Sequence, residues 1–113
     1  MTLMSNPNLA WTLLLIAGLL EIVWSVSMKA SEGFSKVGYT ALTFVAAWIS
    51  FWLLGLAVKT LPIGTAYATW TGIGAAGAAV VGMIVFHESA SVQRLACIAL
   101  ILVGVVGLRL LGE

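Results

Sequence analysis

One acidic residue differs from the others because it lies inside a long apolar stretch. Glu21 follows Leu9, where the first apolar stretch begins, by twelve residues, which in a helix places it about 18 Å into a membrane, near the midplane. A carboxylate at that depth costs at least about 2.5 kcal/mol on insertion scales, and no Lys, Arg or His lies three or four residues away to offset that cost. Intramembrane acids mark proton and cation pathways, and because burial favours the neutral form, Glu21 could exchange a proton for a cation. The alternative is a protonated Glu21 that hydrogen-bonds a neighbouring helix.

The residues that share a helical face with Glu21 suit an organic cation. Offsets of three, four and seven residues place small side chains on one side of the acid and an indole on the other: Ala17, Gly18, Trp24, Ser25 and Met28. A stripe in the third apolar stretch adds a phenol, a second indole and a hydroxyl: Tyr67, Trp70, Thr71 and Gly74. An aromatic face attracts a desolvated cation by up to about 2 kcal/mol, and the carboxylate supplies the charge. For the indoles, the alternative is ordinary helix packing or a place in the aromatic belt at the membrane surface.

Two further features admit more than one interpretation. Ser50, midway along the second stretch, can hydrogen-bond the acid or a carbonyl of its own helix. The run 72–77 has the letters G-x-G-x-x-G, but no strand precedes it and no acidic residue follows about 20 positions later, so it does not indicate a dinucleotide cofactor. Gly72, Gly74 and Gly77 instead predict a thin helix that packs closely or bends as a hinge. A hinge predicts that Gly74→Val slows transport more than it weakens cation binding.

Small residues recur along the fourth apolar stretch. Cys97 and Gly104 are seven residues apart and Gly107 follows three later, a spacing that predicts a seam where two copies pack together. The alternative is that these small residues face lipid. His87, at a membrane boundary beside Glu88, is interpreted as a solvated loop side chain and not as a second proton site.

The composition shows that lipid is the main solvent of this chain. Of its 113 residues, 62% are hydrophobic and 8% are charged, against roughly a quarter charged in a soluble domain, which excludes most soluble enzymes. The formal net charge of +1 with no basic run offers no surface for nucleic acid. The single cysteine excludes an internal disulfide, and no Cys/His pair has the spacing of zinc ligands. We therefore expect no metal and no cofactor.

Four apolar stretches are each long enough to cross a bilayer. They contain 20, 22, 24 and 20 residues, at 9–28, 37–58, 63–86 and 92–111, and about 20 helical residues span the hydrocarbon core. Short polar breaks separate them, so the sequence predicts an all-α membrane protein, a single domain of residues 1–113 with four helices running up and down. Pro62 and Ser91 stand where the third and fourth helices begin, in agreement with their preference for helix starts. Residues 1–8 contain no Lys or Arg, so we expect the first helix to be retained and not cleaved as a signal peptide.

The distribution of basic residues only weakly favours one orientation of the chain in the membrane. Lys59 and Arg109 lie on the N-terminal side of the membrane, and three lie on the other: Lys29, Lys36 and Arg94. Because the Lys/Arg imbalance of short loops sets orientation, a difference of one residue allows insertion both ways. Molecules of both orientations could then form an antiparallel homodimer with its two-fold axis in the membrane plane.

Taken together, these residues resemble the small multidrug resistance transporters over essentially the whole chain. The resemblance is carried by Trp11, Ala17-Gly18, Glu21, Trp24, Lys29-Ala30-Ser31-Glu32-Gly33-Phe34 and the third-helix run from Leu61-Pro62-Ile63-Gly64-Thr65-Ala66-Tyr67 to Trp70-Thr71-Gly72-Ile73-Gly74. The Lys-x-Ser-Glu-Gly-Phe loop and the Trp-Thr-Gly-Ile-Gly of the third helix are similar to the guanidinium exporter subtype.

This resemblance implies a multi-pass protein of the bacterial inner membrane that works as an antiparallel, dual-topology homodimer. It implies export of a cation in exchange for protons, with Glu21 of both subunits forming a shared site. By the same resemblance Trp24, Ser50, Tyr67 and Trp70 would contact the substrate or proton, with Gly18 and Thr71 in support. Within the fourth helix the family's glycine seam is matched at Gly104 but has Cys97 one heptad earlier.

Two classes of organic cation, guanidinium and quaternary ammonium, differ in the groups that a site needs to bind them. Guanidinium is planar and offers N–H pairs that a carboxylate accepts in a bidentate manner, so hydroxyls that orient Glu21 would favour it. A quaternary ammonium has no donor, and polar groups left unpaired beside it would be penalised. The polar set Ser50, Tyr67 and Thr71 therefore favours guanidinium over a broader range of quaternary ammonium cations. A third hypothesis is a non-transporting membrane subunit of a larger or heteromeric assembly, which leaves Glu21 unexplained.

Overall fold

The computed structural model describes residues 7–111, so the predicted domain 1–113 extends beyond the described residues at both ends. It contains four α-helices: α1 (Pro7–Ala30), α2 (Val37–Ala57), α3 (Ile63–Val85) and α4 (Val92–Leu111). Each is long and apolar enough to cross a membrane. The prediction of an all-α protein with four membrane-spanning helices is therefore confirmed.

The connections between the helices are short and internally bonded. In the turn after α1, the buried Ser31 hydroxyl donates to the Met28 carbonyl at 2.6 Å and accepts from the Phe34 amide at 3.0 Å. Gly33 in this turn has a φ of 71°, a left-handed conformation that glycine adopts without strain. The hydroxyl of Ser91 accepts from the Arg94 amide at 3.2 Å, which confirms Ser91 as the cap of α4.

The helices form a thin layer and not a closed four-helix bundle. The principal extents are 42 × 35 × 16 Å, and a single helix with its side chains is already about 10 Å across. In this layer α1 packs against both α2 and α3, and α4 packs against α3. The interior is one cluster on α1, α2 and α3 and the turns beside them: Ala10, Trp11, Leu14, Ala17, Leu54, Ala57, Leu61, Ala66 and Trp70.

The α4 helix is the least covered element. Ile98 is the one buried residue among those described in α4. Side chains such as Leu100 and Val103 are 71% and 67% exposed. Lipid covers such a surface at no penalty, and so does another apolar helix.

Glycines set the closest approaches between the helices. A Cβ built on Gly18 of α1 would lie 3.0 Å from the Cβ of Ile73 on α3, closer than side chains normally pack. A Cβ on Gly72 would lie 2.7 Å from a methyl group of Val105 on α4. The absence of side chains at these two positions therefore lets α3 approach α1 on one side and α4 on the other.

Candidate cation-binding site

Glu21 lies partly buried on α1, where it faces α3. Its carboxyl group occupies the space where a side chain at Gly74 would be, since a Cβ built there would overlap the Glu21 carboxyl oxygen and lie 2.7 Å from its Cγ. Gly74 thus leaves room for the acid against the α3 backbone. The next turn repeats this arrangement, with Gly77 making room for the side chain of Ile22.

No cation neutralises Glu21 within residues 7–111. The ion pairs described there join Glu32 to Lys36 at 3.6 Å and Glu88 to Arg94 at 3.0 Å, both near the helix ends. The Glu21 carboxyl group has no ion pair and no hydrogen bond among the described residues. An intramembrane acid with no built-in counterion is available to bind a proton or an external cation.

A buried hydrogen-bond chain holds the α1 turn that carries Glu21. The Ser50 hydroxyl of α2 donates to the Ala17 carbonyl at 2.7 Å and accepts from the Trp70 indole Nε1 of α3 at 2.9 Å. Ala17 is four residues before Glu21, so its carbonyl is the one that accepts the Glu21 amide in the helix. The position of Ser50 in the sequence predicts a bond to the acid or to a carbonyl of its own helix. Its partners in the structure are instead a carbonyl of α1 and the indole of Trp70.

Aromatic rings extend from this chain towards the surface. Trp70 is buried and its ring lies 5.3 Å from that of Phe51 and 5.6 Å from that of Tyr67, measured between centroids. Tyr67 is 54% exposed. Thr71, one helical turn further along α3, is also exposed. The stripe predicted on α3 therefore spans a buried edge, Trp70 and Gly74, and an open edge, Tyr67 and Thr71.

Trp24, one turn beyond Glu21 on α1, has a hydrogen-bond donor without an acceptor. Its indole Nε1 is buried and has no hydrogen-bond partner among the described residues. A buried donor without a partner is costly. The described residues therefore leave this donor, one turn from Glu21, without a partner.

The residues predicted to form a seam on α4 lie apart from Glu21. Cys97 and Gly104 are exposed, and a Cβ built on Gly104 or Gly107 would meet no atom within 4 Å. His87 is an exposed turn residue with a φ of 56°. Within the described residues, no three His, Cys, Asp or Glu side chains are grouped to hold a metal ion.

Three members of this arrangement are not predicted by the sequence: the Ala17 carbonyl, Phe51 and Ile73. Backbone groups carry no mark in a sequence. Phe51 directly follows Ser50, but nothing in the second apolar stretch shows which of its many aromatic residues faces Trp70. Ile73 could have been paired with Gly18 only once the register of α1 against α3 was known.

Comparison with known proteins gives consistent results. Residues 9–101 match the family described as Small Multidrug Resistance protein. The guanidinium exporter of Escherichia coli strain K12 is 51% identical over 102 residues, which cover 90% of this chain and 97% of that protein. The guanidinium exporters of Salmonella typhimurium and Yersinia pseudotuberculosis are 53% and 50% identical over the same length, with 97% and 98% of those proteins covered.

These similarities settle the family and the setting of the chain. The match runs from the start of α1 into the first half of α4, and each of the four helices is long and apolar enough to span the bilayer. The chain is therefore a multi-pass protein of the bacterial inner membrane and a transporter, not an enzyme. It belongs to the small multidrug resistance family.

Proposed function

We propose that this protein is a proton-coupled antiporter that exports guanidinium, with Glu21 of two antiparallel subunits exchanging protons for the cation. The observation that carries the proposal is the partly buried carboxyl group of Glu21, which lies against Gly74 with no counterion among the described residues. Three relatives that are 50–53% identical are named guanidinium exporters.

The carboxyl group of Glu21 supports guanidinium over a cation without hydrogen-bond donors. A carboxylate accepts two parallel N–H bonds from a planar guanidinium, which fixes orientation and adds binding energy. The chain from Trp70 through Ser50 to Ala17 holds the turn of α1 that carries the acid, so the backbone at Glu21 is in place before the cation arrives. Trp24 lies one turn from Glu21 on α1, and Tyr67 lies two turns from Gly74 on α3. Their rings would supply aromatic faces for the cation.

A second copy completes the site in this proposal. One subunit is a thin layer, 16 Å in its shortest extent. Among the described residues, Tyr67 and Thr71 are exposed and Glu21 is only partly buried. The near balance of basic residues, two against three, permits both orientations. The predicted seam on α4, with Cys97 and Gly104 exposed and Gly107 partly buried, gives the two copies a surface of small residues on which to pack.

Coupling follows from two carboxylates in one site. Both carboxylates repel each other when ionised, so either protons or the cation must neutralise the pair. The dimer can then change the side to which its site opens when the carboxylates hold protons or the cation. Two ionised carboxylates without either would oppose this change, because they would be enclosed in a site of low dielectric constant. The glycines Gly72, Gly74 and Gly77 would allow α3 to pack differently in the two subunits as access changes sides.

Guanidinium flux into liposomes under a pH gradient tests this proposal. We expect wild-type protein to move guanidinium in the direction opposite to the protons. Glu21→Gln should lose this flux while still forming dimers, because the amide keeps the shape of the side chain and lacks its charge. Glu32→Gln is the matched control, since Glu32 is an exposed turn carboxylate paired with Lys36. Tetramethylammonium carried as fast as guanidinium would support the broader quaternary ammonium exporter, and near-normal flux by Glu21→Gln would contradict the proposal.

A further inference from the structure

A large cavity opens where α1 ends and α2 begins. It has a volume of about 780 Å³ and is lined by both charged and aromatic side chains, including Lys29, Lys36, Phe34, Tyr39 and Phe86. Lys29 stands at the end of one membrane-spanning helix and Lys36 directly precedes the next. The cavity therefore lies at the level where lipid headgroups meet the hydrocarbon region.

This end of the molecule carries one uncompensated positive charge. Its two carboxylates are already paired, Glu32 with Lys36 at 3.6 Å and Glu88 with Arg94 at 3.0 Å. Lys29 has no carboxylate partner among the described residues, and its exposed ammonium group lies 5.9 Å from the centroid of the Phe86 ring. A free ammonium in a cavity at the membrane surface favours an anion and repels a transported cation.

A shallow apolar groove on the outside of α2 adjoins this cavity. Lys36 and Tyr39 also line this second space of about 380 Å³, together with Gly38 and Leu42. Val37 beside it is 84% exposed. The cavity lining has a net positive charge, since it includes Lys29 and Lys36 but only one carboxylate, Glu32. A cavity of this charge beside an apolar groove has the polarity of a phospholipid, with its headgroup at the surface and an acyl chain below.

We propose that this cavity binds an anionic phospholipid, with Lys29 on the phosphate and an acyl chain along the groove at Gly38 and Leu42. Basic pockets between helix ends bind anionic headgroups by this combination of charge and apolar contact. Lys36 contributes less than Lys29 because Glu32 already neutralises it. The lipid would neutralise the one free charge at this end of the transporter and leave Glu21 untouched.

Native mass spectrometry of the detergent-purified protein tests this proposal without any transport measurement. We expect phosphatidylglycerol to remain bound where phosphatidylcholine does not, and Lys29→Gln to lower its affinity about fivefold, the effect of one surface basic residue. Lys59→Gln is the matched control, because it removes the same charge at the opposite membrane face. Equal losses for Lys29→Gln and Lys59→Gln would mean attraction to overall charge and would overturn the proposal.

Two further measurements distinguish a bound lipid from a bound free anion. A Cβ at Gly38 would meet no atom within 4 Å and Gly38 lines the groove, so we expect Gly38→Leu to fold and to place its side chain in the groove. We expect this variant to bind less phosphatidylglycerol although every charge is retained. We also expect inorganic phosphate to leave the lipid in place, since it cannot occupy the groove. Displacement by phosphate, or unchanged binding by Gly38→Leu, would overturn the proposal.

Discussion

Gly74→Ala is expected to displace the carboxyl group of Glu21 while the protein still folds. A Cβ at this position would overlap the Glu21 carboxyl oxygen and lie 2.7 Å from its Cγ, about 1 Å closer than an ordinary contact. The atoms in the way belong to a flexible side chain and not to backbone, so the acid moves and the helices remain packed. The outcome is a folded transporter with a misplaced binding group.

The size of the effect follows from that displacement. A reacting or binding group moved by about 1 Å can lose on the order of 100-fold, and a hydrogen bond to a charged group contributes about 1.5–3 kcal/mol. We therefore expect guanidinium to bind Gly74→Ala about 10-fold to 100-fold more weakly than wild-type protein. This differs from the hinge prediction, in which a larger residue at Gly74 slows transport more than it weakens cation binding.

Calorimetric titration of guanidinium into the purified protein measures this affinity, with circular dichroism to check folding. Gly55→Ala is the matched control, because a Cβ at Gly55 of α2 would meet no atom within 4 Å. It should bind guanidinium like the wild type. If Gly74→Ala also binds like the wild type, the Glu21 carboxyl group is not held against α3 when the cation binds, and this reasoning fails.

Other consequences concern the hydrogen-bond chain and the topology. Ser50→Ala leaves the Trp70 Nε1 unpaired and frees the Ala17 carbonyl, so we expect unfolding to become easier by about 1–3 kcal/mol and guanidinium affinity to fall; thermal unfolding in detergent measures the first effect, and Ser50→Thr, which keeps the hydroxyl, should be milder. A C-terminal tag should be detected on both sides of the membrane by side-specific reporters, and two lysines added within residues 1–8 should shift the population to one orientation and reduce transport. A wild-type chain found in one orientation alone would exclude an antiparallel dimer of this chain with itself.

The membrane-spanning helices were predictable because hydropathy and length act on each segment separately. Four apolar stretches of at least 20 residues define four helices whatever their packing. Pro62 and Ser91 marked helix starts for the same local reason, and Ser91 does cap α4. The importance of Glu21 was also visible locally, because a lone acid at the membrane midplane is costly without any knowledge of its neighbours.

The arrangement around Glu21 was not predictable from the sequence because it depends on register between helices. The contact of Gly74 with the carboxyl group and the contact of Gly18 with Ile73 fix how α1 lies on α3. A helical period identifies a face but not the residue opposite it. Ser50 shows the same limit, since its mid-helix position suggested its own backbone or the acid, whereas the fold places it between Trp70 and α1.

Proton release on guanidinium binding tests the central claim most directly. If the cation replaces protons on the two Glu21 side chains, affinity should rise as the pH is raised from about 6 to 9, until both carboxyl groups are ionised. In weakly buffered solution each binding event should release protons at the acid end of that range, and Glu21→Gln should release none. Guanidinium affinity that is independent of pH, with no protons released by the wild type, would contradict exchange at Glu21 and indicate transport of the cation alone.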